Sequence, residues 1–449
     1  MWSLKDSKYK HMNRACSKIY HQWECCIANN MWSLKDSKYK HMNRACSKFY
    51  HPRECCIANN MWSLKDSKYK HMKSIKFLFL FFIVSTCNNE TRSVELETSE
   101  TKQLELKYAK GFSVKYFETY KELTILKPWP KSEKNYSYAI PSENADVDFK
   151  SRVFDATIDH KINKIVVTST THIPALELLG VEQTLVGFPG TDYISSEKTR
   201  RRIDGGHVRE LGKNEGLNTE VLLELNPDVV IGFGVDGVNK TFETLKKAGI
   251  PVIYNGDWVE SSALAKAEWI KFFGVLFNKE KEADSIFNAI ERDYLVAKDI
   301  AKQAKNQPTV LSGAMHKDVW YLPNGSSPEA QFLKDANVSY LWSETTGNGS
   351  LALSFEVVLD KAKDADLWLS PSYYGSFDQL EKTNSLYTNF KAFKERNIYS
   401  FSNTTGATGG VLYYELGTAR PDLVLKDLIK ICHPELLEDY TPYFFKRLN

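Results

Sequence analysis

Beyond Arg152 the chain alternates short β-branched runs with stretches whose apolar residues recur every three or four positions. KIVVTST predicts a strand, THIPALELLG a helix closed by Gly180, and TLVGFP the next strand. NTEVLLELNPDVVIGF predicts a helix and then a strand beginning near Asp228; TFETLKKAG is a helix capped by Gly249, and IPVIYN a further strand. Repeated β-α-β order implies a parallel sheet with both faces covered. A long helical region follows over residues 261–277 and 279–305, where AEWIKFF and EADSIFNAIERDYLVAKDIAKQ keep helical spacing. After Pro308 the alternation resumes, with strands in TVLSGAM, DLWLSPS and NIYSFS. Helices are expected in PEAQFLKDA, FEVVLDKAKDA, NFKAFKER and from Pro421 to Cys432. The predicted fold class is α/β: a lobe over 152–278, a bridging helix within 279–307, and a second lobe over 308–449.

Ahead of the lobes the pattern differs. Residues 98–150 carry short strand-like runs, LELKYAKGFSVKYFETYKELTILKPWP and NYSYAIP, with a turn at Lys110-Gly111 and a stop at Pro128-Trp129-Pro130. These predict a small β appendage within a segment, 87–151, that begins as a linker. Residues 72–86, MKSIKFLFLFFIVST, have a positive flank at Lys73 and Lys76 and then an apolar run too short to span a bilayer. Small residues follow, then Cys87, and Val84-Ser85-Thr86-Cys87 resembles the lipobox at which bacterial lipoproteins are cleaved. The expected outcome is an export signal with Cys87 as the lipidated residue.

Residues 1–30 recur as 31–60 with three substitutions, and a third copy begins at 61. Copies this similar, without a helical or strand period, do not read as a stacked solenoid. Residues 1–71 are therefore expected not to be part of the native protein, with Met72 as its initiator. Each full copy does hold cysteines and histidines, Cys16, Cys25, Cys26, His11 and His21 in the first, but adjacent Cys25-Cys26 lacks the CxxC spacing of a zinc site.

Reading from Cys87 changes the bulk chemistry. The whole chain has formal charge +3, whereas the part from Cys87 has 43 basic and 51 acidic residues. An acidic chain leaves no electrostatic footprint for nucleic acid. Two cysteines remain, Cys87 and Cys432; with the first consumed by lipid, no intrachain disulfide is available and the core must hold the fold.

Four stretches together resemble a known family: INKIVVTST with ALELLGVEQTLVGFP, ELGKNEGLNTEVLLELNPDVVIGF, LKKAGIPVIY, and LSFEVVLDKAKDADLWLSP. Their order resembles the iron-siderophore and vitamin B12 class of periplasmic binding proteins, over roughly residues 161–437. The resemblance implies two Rossmann-like lobes joined by one rigid helix, a ligand held in the cleft between them, and an ABC permease with its ATPase as partner. It implies a monomer that captures an iron chelate, with a corrinoid or haem as the alternative, and neither catalysis nor a cofactor. It further implies one surface glutamate per lobe that docks on the permease, and Glu220 and Glu356 occupy the matching positions. Each follows a residue suited to capping, Asn218 or Ser354, so the helix dipole alone would also favour a carboxylate there.

Open parallel sheets bind ligands in loops beyond the carboxyl ends of their strands. The candidates in those loops are His172, Phe188, Tyr193, Trp258, His316, Trp320, Tyr373 and Tyr374, with Tyr321 beside Trp320. Aromatic rings with a polar tip suit a large flat ligand such as a metal chelate. Each could instead serve lobe packing. His172 and His316 would lie on opposite cleft walls, where they could meet a metal centre. Arg200-Arg201-Arg202 could pair with ligand carboxylates, although three adjacent arginines cannot all face one way. The glycines at 406–410 lack the spacing of a phosphate cradle and read as a turn-rich loop near the cleft rim. Two other classes stand beside this reading: an exported metal-dependent hydrolase, for which no HExxH or GxSxG cluster appears, and a binder of bare metal ions, which would need three or four convergent ligands.

Overall fold

The computed structural model describes residues 102–449 apart from 144, 146–148, 150, 151, 215, 236, 238 and 348. The repeat, the expected export signal and Cys87 lie outside the described residues. The first sheet runs β1 (Lys102–Gln103), β2 (Phe112–Tyr116), β3 (Tyr120–Ile125), β4 (Tyr136–Pro141) and β5 (Ala156–Thr157) in sequence order, antiparallel until β5 joins β4 in parallel. Its inward side chains, among them Phe112, Val114, Leu123, Ile125 and Tyr138, share one continuous core with the lobe that follows. The appendage thus has no separate core of its own, as expected for so few strands.

The first lobe contains β6 (Ile165–Val167), β7 (Leu185–Phe188), β8 (Arg209–Glu210), the hairpin β9 (Gly212–Lys213) and β10 (Gly216–Leu217), β11 (Val229–Gly232) and β12 (Val252–Tyr254). Its parallel sheet has the order β12-β11-β6-β7-β8. Strands β6, β11 and β12 are buried at every position, the mark of a sheet covered on both faces. Gly180 and Gly249 adopt left-handed φ values of 65° and 83° just past their helices, a conformation glycine takes without a Cβ clash.

The helical region at 261–277 is broken into Ala263–Ala267 and Ile270–Leu276 rather than continuous. The break turns Glu268 and Trp269 toward the appendage, where Glu268 accepts the amides of Lys107, Tyr108 and Ala109 at 2.7–2.9 Å. The bridging helix is Glu280–Ala301, 22 residues and so about 33 Å long. Its buried stripe, Ala283, Phe287, Ile290, Tyr294, Ala297 and Ala301, recurs every three or four residues. Ala283 and Phe287 enter the first core and Tyr294, Ala297 and Ala301 the second, so one apolar face serves both lobes.

The second lobe holds β13 (Thr309–Ser312), β14 (Ala314–His316), β15 (Val319–Pro323), β16 (Ser339–Tyr340), β17 (Ser350–Leu353), β18 (Leu367–Leu369), β19 (Ile398–Ser400) and β20 (Lys446–Arg447). Its main sheet has the order β16-β13-β18-β19-β20, parallel except at β20. The sequence pattern did not indicate the additional antiparallel sheet β14-β15-β17, which lies beside it. The two-lobed α/β class with a bridging helix and β appendage is the one expected from the sequence.

Candidate functional site

In each lobe the strand order reverses once. From β6 the chain steps outward to β7 and β8 on one side, then returns to β11 and β12 on the other. From β13 it steps to β16 on one side and to β18 and β19 on the other. Crevices open at such reversals beyond the carboxyl ends of the strands. Residues 168–172 occupy that place in the first lobe, and Gly313 with residues 370–374 in the second. Beyond the carboxyl edges, the segment after β7 hydrogen-bonds to the segment after β19: Thr408 Oγ1 donates to the Asp192 carbonyl at 2.7 Å and Ser195 Oγ to the Gly410 carbonyl at 2.9 Å.

Five of the expected rings keep part of their surface open. Tyr373 is exposed and Tyr374 half-buried, in a turn where Ser370 and Ser372 adopt left-handed φ values of 58° and 60°. Ser402 Oγ donates to the Ser372 carbonyl at 2.9 Å and pins that turn. Tyr193 is half-buried on the turn Thr191–Tyr193, which is held by Glu210. The Glu210 carboxylate accepts the amides of Gly190, Thr191 and Gly212 and the Thr191 hydroxyl. Burial would raise its pKa, but these donors outweigh burial and lower it. Trp258 is half-buried, with its indole N–H buried and without a hydrogen-bond partner among the described residues. His316 is half-buried on β14.

Three candidates fall elsewhere. Phe188, the last residue of β7, points into the first core. Trp320 lies in β15 rather than in a loop; it is wholly buried among Trp368, Tyr387 and Phe390, and its indole donates to the Ser312 carbonyl at 3.0 Å. Lys317, with a left-handed φ of 54°, sits in the two-residue turn that makes β14 and β15 a hairpin. The alternation in VWYLP after that turn was the available signal. His172 is also fully buried, 5.6 Å from the Phe273 ring, and neither ring nitrogen has a partner among the described residues. Burial drives its pKa down to about 3, so the ring is neutral near pH 7. From that position His172 does not face His316 across an open cleft. The arginines divide as their adjacency required: Arg200 bonds the Thr191 carbonyl, Arg202 the carbonyls of Gln183 and Leu185, and Arg201 faces solvent.

Glu220 and Glu356 are exposed, each in the first turn of its helix, Thr219–Leu225 or Phe355–Ala362. Asn218 Oδ1 accepts the Val221 amide at 3.2 Å and Ser354 Oγ accepts the Val357 amide at 3.4 Å. Hydrogen bonds from its own amide and from the Ser354 cap lower the Glu356 pKa. The two carboxylates therefore hold equivalent places in the two lobes.

The appendage also reaches the carboxyl edge, which its sequence did not signal. A Cβ on Gly256, beyond β12, would lie 2.3 Å from the Lys127 carbonyl oxygen, and one on Gly234, beyond β11, 2.4 Å from the Trp129 ring. Both glycines make room for the 127–129 segment. Nearby, Thr171 Oγ1 donates to the buried carboxyl of Asp257 at 3.1 Å, joining the loops after β6 and β12. Thr171 and Asp257 line a small cavity with Lys266, Phe273, Ile290 of the bridging helix and Thr418 of the second lobe. Among the described residues no group of three or more His, Cys, Asp or Glu could hold a metal ion, and no helix is long and apolar enough to cross a membrane.

A family model described as periplasmic binding protein matches residues 165–404, which begin after the appendage. A lipoprotein of Methanocaldococcus jannaschii is 26% identical over 367 residues, covering 77% of this chain and 85% of its own. Among solved structures, the periplasmic heme-binding protein RhuT from Roseiflexus sp. RS-1 in apo form aligns at 21% identity and TM-score 0.48, over 62% of this chain and 100% of that one. An ABC transporter substrate-binding protein from Listeria monocytogenes EGD-e aligns at 21% identity and TM-score 0.44, over 61% and 100%.

Proposed function

Because the chain belongs to the periplasmic binding protein family, we propose that it is the solute-capturing component of an ABC importer, tethered outside the membrane through lipid on Cys87. The solute in this reading is an iron chelate of the siderophore type. The observation that carries the reading is the equivalent exposure of Glu220 and Glu356 at capped helix starts, one on each lobe. Two carboxylates so placed offer a partner a pair of fixed negative points, and arginines on a permease are their natural complement. The partly open rings of Tyr193, Trp258, His316, Tyr373 and Tyr374 are of the kind suited to a flat, oxygen-rich chelate.

The absorption spectrum and mass of ligand that co-purifies with the full chain test the chelate. A charge-transfer band with the mass of a ferric siderophore is expected. A Soret band would replace the siderophore by haem, and a corrin spectrum would replace it by a corrinoid. Steady turnover of an ester or phosphate substrate that stops on chelation would instead favour a metal-dependent hydrolase.

A further inference from the structure

One part of the second lobe reaches beyond its own core to the first lobe. Residues 404–419 cross to the first lobe, and the helix within them, Leu412–Leu416, packs on the turn Thr170–His172 and the helix Ile173–Leu178. At the crossing the two backbones come into direct contact. A Cβ on Gly410 would lie 2.2 Å from the Tyr193 carbonyl oxygen, and one on Gly406 2.6 Å from Ser195 Cα. The buried Glu415 carboxyl accepts the amides of both Ser195 and Ser196, the latter at 2.9 Å. With the bonds from Ser195 Oγ to Gly410 and from Thr408 Oγ1 to Asp192, four hydrogen bonds close this one rim.

We infer that residues 404–419 form a clasp that shuts the crevice between the lobes, with the Glu415 carboxyl as its catch. The clasp takes its purpose from the binding-protein reading, since the crevice it shuts is the ligand cleft. At the crossing itself glycine faces backbone and the contact is hydrogen-bonded, while Leu412, Tyr413 and Leu416 behind it pack against the core of the second lobe. Such a contact opens more readily than a packed core.

Closing desolvates the carboxyl, and burial outweighs the two amide donors, pushing its pKa up to about 7. The groups around it reinforce this. Glu177 on the helix Ile173–Leu178 adds like charge, and His172 on the turn Thr170–His172 is neutral and contributes none. Glu197, Lys198 and Arg200 of the opposing segment are engaged with Arg201, Glu182 and Asp204. A site whose closed form holds its proton more tightly is favoured by acid, so the clasp closes at low pH and loosens as pH rises through about 7.

Hydrogen exchange of the ligand-free full chain tests this without reference to any solute. Peptides covering 191–199 and 404–416 report the clasp, and peptides covering β6 and β13 report the fold. Between pH 5.5 and 8.5, after correction for intrinsic rates, the opening constant of the clasp peptides should rise about 30-fold, as expected for a carboxyl moving from its ordinary range to about 7 on closing. Protection of β6 and β13 should stay unchanged. In E415Q the pH dependence should vanish, and in G410A the clasp peptides should exchange fast at both pH values with the sheets still protected. A flat wild-type response, or one that E415Q retains, would overturn the clasp. Either result leaves the identity of the solute untouched.

Discussion

The Glu268 carboxylate and the Tyr108 amide are 2.7 Å apart across 160 residues of chain, and the same carboxylate also holds the amides of Lys107 and Ala109. Glu268 is fully buried beside Lys271 at 3.1 Å, while Glu260 takes the next two amides, Lys110 and Gly111, and the Trp269 indole. Five successive backbone donors of the appendage thus end on two carboxylates of the first lobe. The appendage is fastened by charge-assisted bonds as well as by its shared core.

Substituting E268A leaves three amides without their acceptor and takes one of two carboxylate partners from the buried Lys271, which keeps Asp284 and the Glu105 carbonyl. Losing one side of a buried, hydrogen-bonded charge costs roughly 3–5 kcal/mol. Chemical denaturation should show that loss, and proteolysis should cut near residue 108 first. A change under about 1 kcal/mol would mean the shared apolar core alone holds the appendage.

His172 makes stability depend on acid. Its folded pKa, about 3, lies below the unfolded value, so the unfolded chain binds the extra proton first. The stabilisation is complete above about pH 6.5 and is lost as pH falls toward 3, by up to about 5 kcal/mol. In H172L the imidazole and its unpartnered nitrogens are gone, so the acid limb of the stability curve should flatten. Equal acid sensitivity in wild type and H172L would show that other groups govern that limb.

Trp320 and Tyr373 should separate structure from binding. W320A empties the centre of the second core and should cost about 3–5 kcal/mol in denaturant unfolding. Y373A removes an exposed ring, so stability should stay within about 0.5 kcal/mol. Affinity for a ferric siderophore, titrated by tryptophan quenching, should nevertheless fall about tenfold in Y373A. Unchanged affinity would remove Tyr373 from the site.

If Glu220 and Glu356 dock on the permease as proposed, charge reversal at either one, E220R or E356R, should abolish uptake of the labelled chelate by cells. Because both side chains face solvent, chelate affinity should stay at the wild-type level, and stability should fall by no more than about 1 kcal/mol from placing a cation at a helix N-terminus. Normal uptake by both variants would refute docking through these carboxylates.

Much of the architecture was written in local periodicity. The strands at Ile165–Val167 and Val229–Gly232 are short apolar runs, the bridging helix keeps its stripe for six turns, and the Pro421–Cys432 helix carries its start signal at Pro421. That Glu220 and Glu356 stand in first helical turns was legible for a related reason, since each follows a capping residue and a helix start is a local event, whereas the docking role proposed for them came from the family resemblance and not from this pattern.

What the chain pattern by itself determined is therefore the order of elements, the two-lobed α/β class and the capped helix starts, because each depends on residues a few positions apart. Tertiary structure decided which side chains at the strand ends are walls and which are core. Phe188 and Trp320 look like rim residues in sequence, yet burial of a large ring depends on which distant strands lie beside it. It also decided the partners of Glu268 and Glu415, whose bonds span 160 and 220 residues of chain. A carboxylate on a helix reads as a surface group until a remote stretch of backbone supplies the amides that allow it to be buried.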